Sequence, residues 1–211
     1  MKGLIIKDLI ALKKQVKIFL ILAAFYIVFS IVTKNTGMFG AMVILLCVMM
    51  PITTMSFDEH YKWDRYALSL PISRKTVVIS KYVLGILLDL AAIVIVAPTS
   101  IVIGSVVGKM EINESLVASL AIGGVALLFL SIILPIIFKF GVEKGRMLMM
   151  TIFFVPAILV MLISSLDIAP PNKLMLERLT IYLPFVLPVM VIGVLLISIY
   201  ISIGIYTRKE F

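Results

Sequence analysis

Few residues in this chain could do chemistry, and their spacing rules out most of it. A phosphate-binding loop needs glycines that let backbone N–H groups reach the phosphates, a lysine, and a hydroxyl for magnesium. The nearest stretch, Gly104-Ser-Val-Val-Gly108-Lys109-Met110, is one residue short and lacks that hydroxyl. His60 is the only histidine, so neither a multi-histidine metal site nor a Ser-His-Asp triad can be assembled. An intramembrane protease would likewise lack its paired base. Cys47 is the single cysteine; it excludes an intrachain disulfide and reads as a small buried hydrophobe. The expectation is a chain with no catalytic residue, no metal site and no cofactor of its own.

Two places remain. Asp89 is the one acidic residue well inside an apolar run, where a charge costs roughly 2.5–3.5 kcal/mol at mid-bilayer. It either ties helices in register or lies on a transport path. The second place is the segment Asp58-Glu-His-Tyr-Lys-Trp-Asp-Arg-Tyr-Ala-Leu-Ser-Leu-Pro-Ile-Ser-Arg-Lys-Thr76. Trp63, Tyr66, Ala67 and Leu70 fall at i, i+3, i+4 and i+7, one face of a short helix, with Lys62, Asp64, Arg65 and Ser69 on the others. Pro71 ends that helix, because its ring disfavours helical geometry at Leu70. Ser73 can then cap a new one. A loop that only reversed direction would not need this design.

The elements that position these residues lie in lipid. Hydrophobic residues make up 63% of the 211-residue chain and charged ones 14%, with a mean hydropathy of +1.23. A soluble domain of this size has no core large enough for that much apolar surface. A spanning helix takes roughly 20 mostly apolar residues, and six runs qualify: 18–33, 38–57, 82–107, 116–138, 147–166 and 181–206. The expected architecture is an all-α integral membrane protein, a single transmembrane domain over residues 1–211. Ser100, Gly104 and Gly108 form a small-residue stripe on the third run that admits a close helix. Pro51, Pro98, Pro135, Pro156, Pro184 and Pro188 interrupt or flank the runs, and suit a bundle that opens as well as one statically kinked.

Charge placement gives the topology. Lys2, Lys7, Lys13, Lys14 and Lys17 precede the first run; Lys62, Arg65, Arg74, Lys75 and Lys81 follow the second. Lys139, Lys144 and Arg146 follow the fourth, and Arg208 and Lys209 close the chain. Of nineteen basic residues, only Lys34, Lys109, Lys173 and Arg178 fall on the other side. The positive-inside rule therefore puts both termini in the cytoplasm. The net charge of +8 is a topology signal, and a nucleic-acid partner is not expected.

Two flanking segments read as interfacial. Residues 1–17 carry Leu4, Ile5, Leu9, Leu12 and Val16 at helical spacing, with the lysines mostly off that stripe. This is an amphipathic helix at the inner interface, or else a plain basic flank. No small-residue cleavage site follows, so no cleavable signal is expected. At the outer side, Pro170-Pro171-Asn172 followed by Leu174, Met175 and Leu179 reads as a short interfacial helix, or else as a plain loop.

The opening Met1-Lys-Gly-Leu-Ile-Ile-Lys-Asp-Leu9, the stretch Asp58-Glu59 … Trp63-Asp64 … Leu68-Ser69-Leu70-Pro71-Ile72-Ser73-Arg74-Lys75, and Ser80-Lys81-Tyr82 resemble the ABC-2 type permease family, among them small bacterial exporters of cytolytic peptides such as phenol-soluble modulins. The resemblance implies a multi-pass protein of a bacterial plasma membrane, present as two permease copies with two separate ATP-binding subunits that hold ATP and magnesium. It makes 58–70 a cytosolic coupling helix, with Asp58, Glu59, Trp63, Asp64, Arg65, Tyr66 and Leu70 docking the ATPase. It makes 1–17 the interfacial helix and Asp89 a candidate for the substrate path. The implied activity is export of a hydrophobic or amphipathic substrate such as peptides. A non-transporting membrane scaffold and a secondary transporter are the alternatives; the latter calls for inverted repeats and intramembrane charged pairs, and neither is visible.

Overall fold

A computed structural model of the chain describes residues 1–33, 36–107, 112–148, 150–151 and 173–209. Regular structure among them is helical throughout: α1 (Lys2–Lys13), α2 (Val16–Thr33), α3 (Thr36–His60), α4 (Trp63–Ser69), α5 (Arg74–Val107), α6 (Ile112–Phe140) and α7 (Lys173–Arg208), with a further helical stretch over 142–148. In lipid, every backbone N–H and C=O has to be satisfied within the segment, and the helix does this. Five of these helices, α2, α3, α5, α6 and α7, are long and apolar enough to cross a bilayer. They coincide with five of the six expected runs. The other, 147–166, lies almost wholly outside the described residues.

The bundle is built on α3, α5, α6 and α7. Helix α5 runs antiparallel to α3 and α7, while α6 and α7 run parallel and make the most extensive helix pairing. At 34 residues α5 is about 51 Å long, against a hydrocarbon core of about 30 Å, so its first turns project beyond the bilayer. Close approach is set by small residues. A Cβ at Gly85 would lie 2.4 Å from Leu130 Cδ1, and one at Gly124 would lie 2.4 Å from Leu187 Cδ2. Of the expected small stripe, Ser100 and Gly104 are buried, and Gly108 lies outside the described residues. Helix α2 is peripheral: Ser30 is its only buried residue.

One polar chain ties the centre. Pro135 has no N–H, so the carbonyl of Ser131 four residues earlier loses its helical partner. The Ser198 hydroxyl of α7 donates to that carbonyl. With the Ser198 proton used there, buried Tyr82 of α5 donates to Ser198 Oγ at 2.6 Å and accepts from Ser202 Oγ at 2.7 Å. A proline in one helix is thus compensated from a second and locked by a third.

Three expectations about the flanking segments change. The N-terminal stretch is two helices, broken at Lys14 and Gln15. The buried stripe of α1 is Leu4, Asp8 and Leu12, packed on α3 and α5, while Leu9 and Val16 are exposed. The 58–70 helix is also divided. Asp58, Glu59 and His60 complete α3, and Lys62 takes a left-handed conformation (φ 52) that breaks the chain before α4. Leu70 is extended before Pro71, and Ser73 Oγ accepts the Thr76 N–H at 3.2 Å, capping α5 as its sequence predicts. Finally, residues 173–180 are continuous with α7, so no separate outer helix precedes it; 167–172 lie outside the described residues.

Candidate functional site

Both chain ends, the α3–α4–α5 elbow and the end of α6 converge at one end of the bundle, which carries most of the basic residues. Its centre is a buried cluster of charges from three helices. Lys81 of α5 is only 5% exposed, and its ammonium has three partners: Asp8 Oδ2 at 2.8 Å, Asp58 Oδ2 at 2.6 Å and Thr54 Oγ1 at 3.3 Å. Lys7 of α1 bonds the other oxygen of Asp58. It also lies 3.1 Å from Asp8 Oδ1, near enough for charge attraction although not aligned as a hydrogen bond. Two ammonium groups thus face two carboxylates. A buried charge is tolerated when paired and hydrogen-bonded; every charge here is paired, and of the carboxylate oxygens only Asp8 Oδ1 is held by charge attraction without a hydrogen bond. Nothing local in the sequence pairs Asp8 with Lys81, 73 residues away.

Around this cluster the elbow is tied to every neighbouring helix. Glu59 Oε2 accepts the N–H of Val142 at 2.7 Å. Gly141 ends α6 in the left-handed region (φ 85), where a Cβ would sit 2.8 Å from Glu59 Oε1. Asp64 of α4 accepts from Tyr206 of α7 at 2.9 Å, and Tyr206 stacks edge-on against Phe138. Arg74 donates to the carbonyls of Thr207 at 2.7 Å and Lys209 at 2.9 Å, capping α7. Trp63 packs on the hydrophobic core and lies under the Lys7 ammonium, 4.5 Å from its ring centre.

The seven expected docking residues therefore separate into two sets. Asp58, Glu59, Trp63 and Asp64 are engaged within the chain, and Leu70 is half-buried. Arg65 and Tyr66 face outward, Tyr66 being 58% exposed. Close in sequence is Tyr61, 77% exposed, which lies before Trp63, where the expected helical face begins. A charged cavity of about 180 Å³ opens beneath, lined by Glu59, Lys62, Asp64, Arg65 and Lys209.

Burial holds the Asp64 carboxyl above the usual carboxylate range, and the Tyr206 hydrogen bond offsets this only in part. A raised carboxylate contributes stability that is full below its unfolded value, about 3.9, and is lost as pH rises through the folded one. Asp64→Asn keeps an acceptor for Tyr206 without the charge. We expect its melting temperature to equal or exceed that of the wild type at neutral pH, the difference vanishing near about pH 4; thermal unfolding in nanodiscs at both values checks it.

Asp89 lies elsewhere, about 12 Å along α5 from Lys81. It is 1% exposed, and among the described residues neither carboxylate oxygen has a hydrogen-bond partner. It lines an apolar cavity of about 360 Å³ between α5, α6 and α7. The groups meeting at each place can bind and transmit force. Among the described residues no group of His, Cys, Asp and Glu is placed to hold a metal ion.

Residues 3–207 match the family model of the ABC-2 family transporter protein. No curated protein and no solved structure matches the chain.

Proposed function

The chain belongs to the ABC-2 transporter family, and from that premise we propose that it is the transmembrane subunit of an ATP-driven exporter. In this family the membrane component is distinct from the ATPase and partners with a separate ATP-binding subunit. We place that partner at the α3–α4–α5 elbow, on the cytoplasmic side, with both termini. ATP and magnesium are held by the partner, and two permease copies act with two such subunits in a bacterial plasma membrane.

One observation carries this reading. Helix α4 is only seven residues long and has little stability of its own, yet it is pinned by Ala67, Trp63 and the Asp64–Tyr206 bond to the ends of helices that cross the bilayer. An element held this way passes a push on its outer face directly to α3 and α7. The substrate is amphipathic, a peptide with an apolar face, because the cavity between α5, α6 and α7 is walled almost entirely by apolar side chains.

The test is biochemical. Purified alone, the chain should neither bind nor hydrolyse ATP; expressed with its ATP-binding subunit, it should copurify in equal amounts. Amphipathic peptides should then stimulate hydrolysis in nanodiscs. Turnover of ATP by the chain alone, with contamination excluded, sinks the assignment, and so does a stable complex that no amphipathic peptide stimulates.

A further inference from the structure

The cavity beside Asp89 has a chemical preference of its own. Its walls are Leu90 and Ile93 of α5, Leu120 and Leu127 of α6, and Leu187 and Val191 of α7; Asp89 is the one ionisable group among them. Both oxygens of that carboxylate are buried and unpartnered among the described residues; Oδ2 lies 3.5 Å from where a Cβ on Gly123 would stand, a side of the glycine that Ile93 also packs against. Leu90, Val117, Leu120 and Ile192 at the rim are more than half exposed, so the cavity opens sideways onto the apolar surface of the bundle.

Each kind of occupant can be weighed against this. An alkyl chain alone fills the volume but leaves a buried carboxylate unpaired, which is costly. Ordered water needs two to four polar partners, and these walls offer only Asp89. An anion is repelled. A lipid headgroup at the interface does not reach a residue about 12 Å further along α5 than Lys81. A protonated amine on an apolar chain satisfies everything at once: its N–H groups meet the two oxygens, its charge is neutralised, and its chain covers the walls.

We propose that this cavity binds an amphipathic molecule bearing a protonated amine, the amine paired with Asp89 and the apolar chain lying along α6 and α7. As the substrate site of an exporter this rests on the function proposed above; as a binding site it stands on the geometry alone.

The experiment uses the full chain in nanodiscs, without ATP or partner. Decylamine and decanol, each carrying a diazirine in mid-chain, are photolysed at equal concentration. Labelling of α6 and α7 is mapped by mass spectrometry and normalised to α2, whose outward surface serves as reference. The amine should label the cavity residues about tenfold more than the alcohol. Asp89→Asn should bring the amine down to the alcohol's level, and Ala121→Phe, which fills the cavity and leaves the carboxylate in place, should lower both. Equal labelling by the two probes in the wild type overturns the proposal, as does an undiminished amine excess in Asp89→Asn. If that variant does not fold, undiminished amine labelling in Ala121→Phe overturns it. Should labelling fail while ATP-driven, peptide-stimulated transport persists with the partner present, the site is wrong and the exporter reading stands; amine labelling without such transport has the reverse meaning.

Discussion

Lys81→Met is expected to destabilise the protein by about 3–5 kcal/mol, a large fraction of the stability of an ordinary domain. The side chain is nearly isosteric in length, so the loss is electrostatic. Removing the ammonium leaves Asp8, 1% exposed, and Asp58 facing one another with Lys7 as the only remaining cation. The partner left behind sets the cost, because an uncompensated buried charge is worse than no charge. A second substitution separates this from simple loss of packing. Asp8→Asn with Lys81→Met removes one charge of each sign and leaves the Lys7–Asp58 pair intact. It should recover most of the stability, giving a strongly non-additive double-mutant cycle. Lys81→Arg should not rescue fully, since a planar fork cannot reproduce three ammonium bonds converging from Asp8, Asp58 and Thr54. Unfolding in nanodiscs gives the cycle; additivity within experimental error would mean the cluster is only a set of independent contacts.

That cluster also marks where the sequence stops being readable. The membrane-crossing helices are legible because lipid imposes one rule on every residue of a span, so composition over twenty residues suffices. The pairing of Lys81 with Asp8 spans 73 residues, and that of Lys7 with Asp58 spans 51. Nothing local distinguishes these lysines from those that mark topology, so Lys7 and Lys81 read as signals of orientation, and Asp8 enters only within the opening stretch that carries the family resemblance. The break at Lys62 was hidden for a different reason. A non-glycine residue in the left-handed region is held there by its surroundings, here the anchored end of α3 and the Asp64–Tyr206 bond on α4. Of the expected face Trp63 and Ala67 turn inward on α4, Tyr66 turns out of it, and Leu70 lies beyond the helix in an extended conformation. Pro71 and Ser73, whose effects are local, behave as their types predict. Asp89 was visible as an anomaly because one carboxylate in an apolar run is conspicuous, but the cavity beside it needs three helices to exist.

Tyr61→Ala and Tyr66→Ala are expected to abolish copurification with the ATP-binding subunit while the permease still inserts and folds. Both residues are largely exposed, at 77% and 58%, near outward-facing Arg65 and Lys62, the Tyr66 ring resting 5.2 Å from that of Trp63. Aromatic anchors desolvated at the centre of an interface typically cost about 2 kcal/mol or more on truncation, which is about 30-fold in affinity for each ring. The acidic and basic groups around them form a mixed-sign rim, as expected of a protein partner, whereas a surface built for anionic lipid would be more uniformly basic. Because α4 is anchored before the partner arrives, little ordering cost is paid on docking, and the rings can contribute nearly their full value. Trp63→Ala should act differently. Its ring packs on the core and under Lys7, so truncation should lower thermal stability and loosen α4 before it touches affinity. Lys62→Ala, at the rim, should do little. The three outcomes separate in two measurements on each variant, retention of the ATPase during purification and unfolding temperature of the permease alone. If both tyrosine variants retain the partner and its peptide-stimulated turnover, the elbow does not dock the ATPase through these rings, and the contact surface has to be sought among the other exposed residues at this end of the bundle.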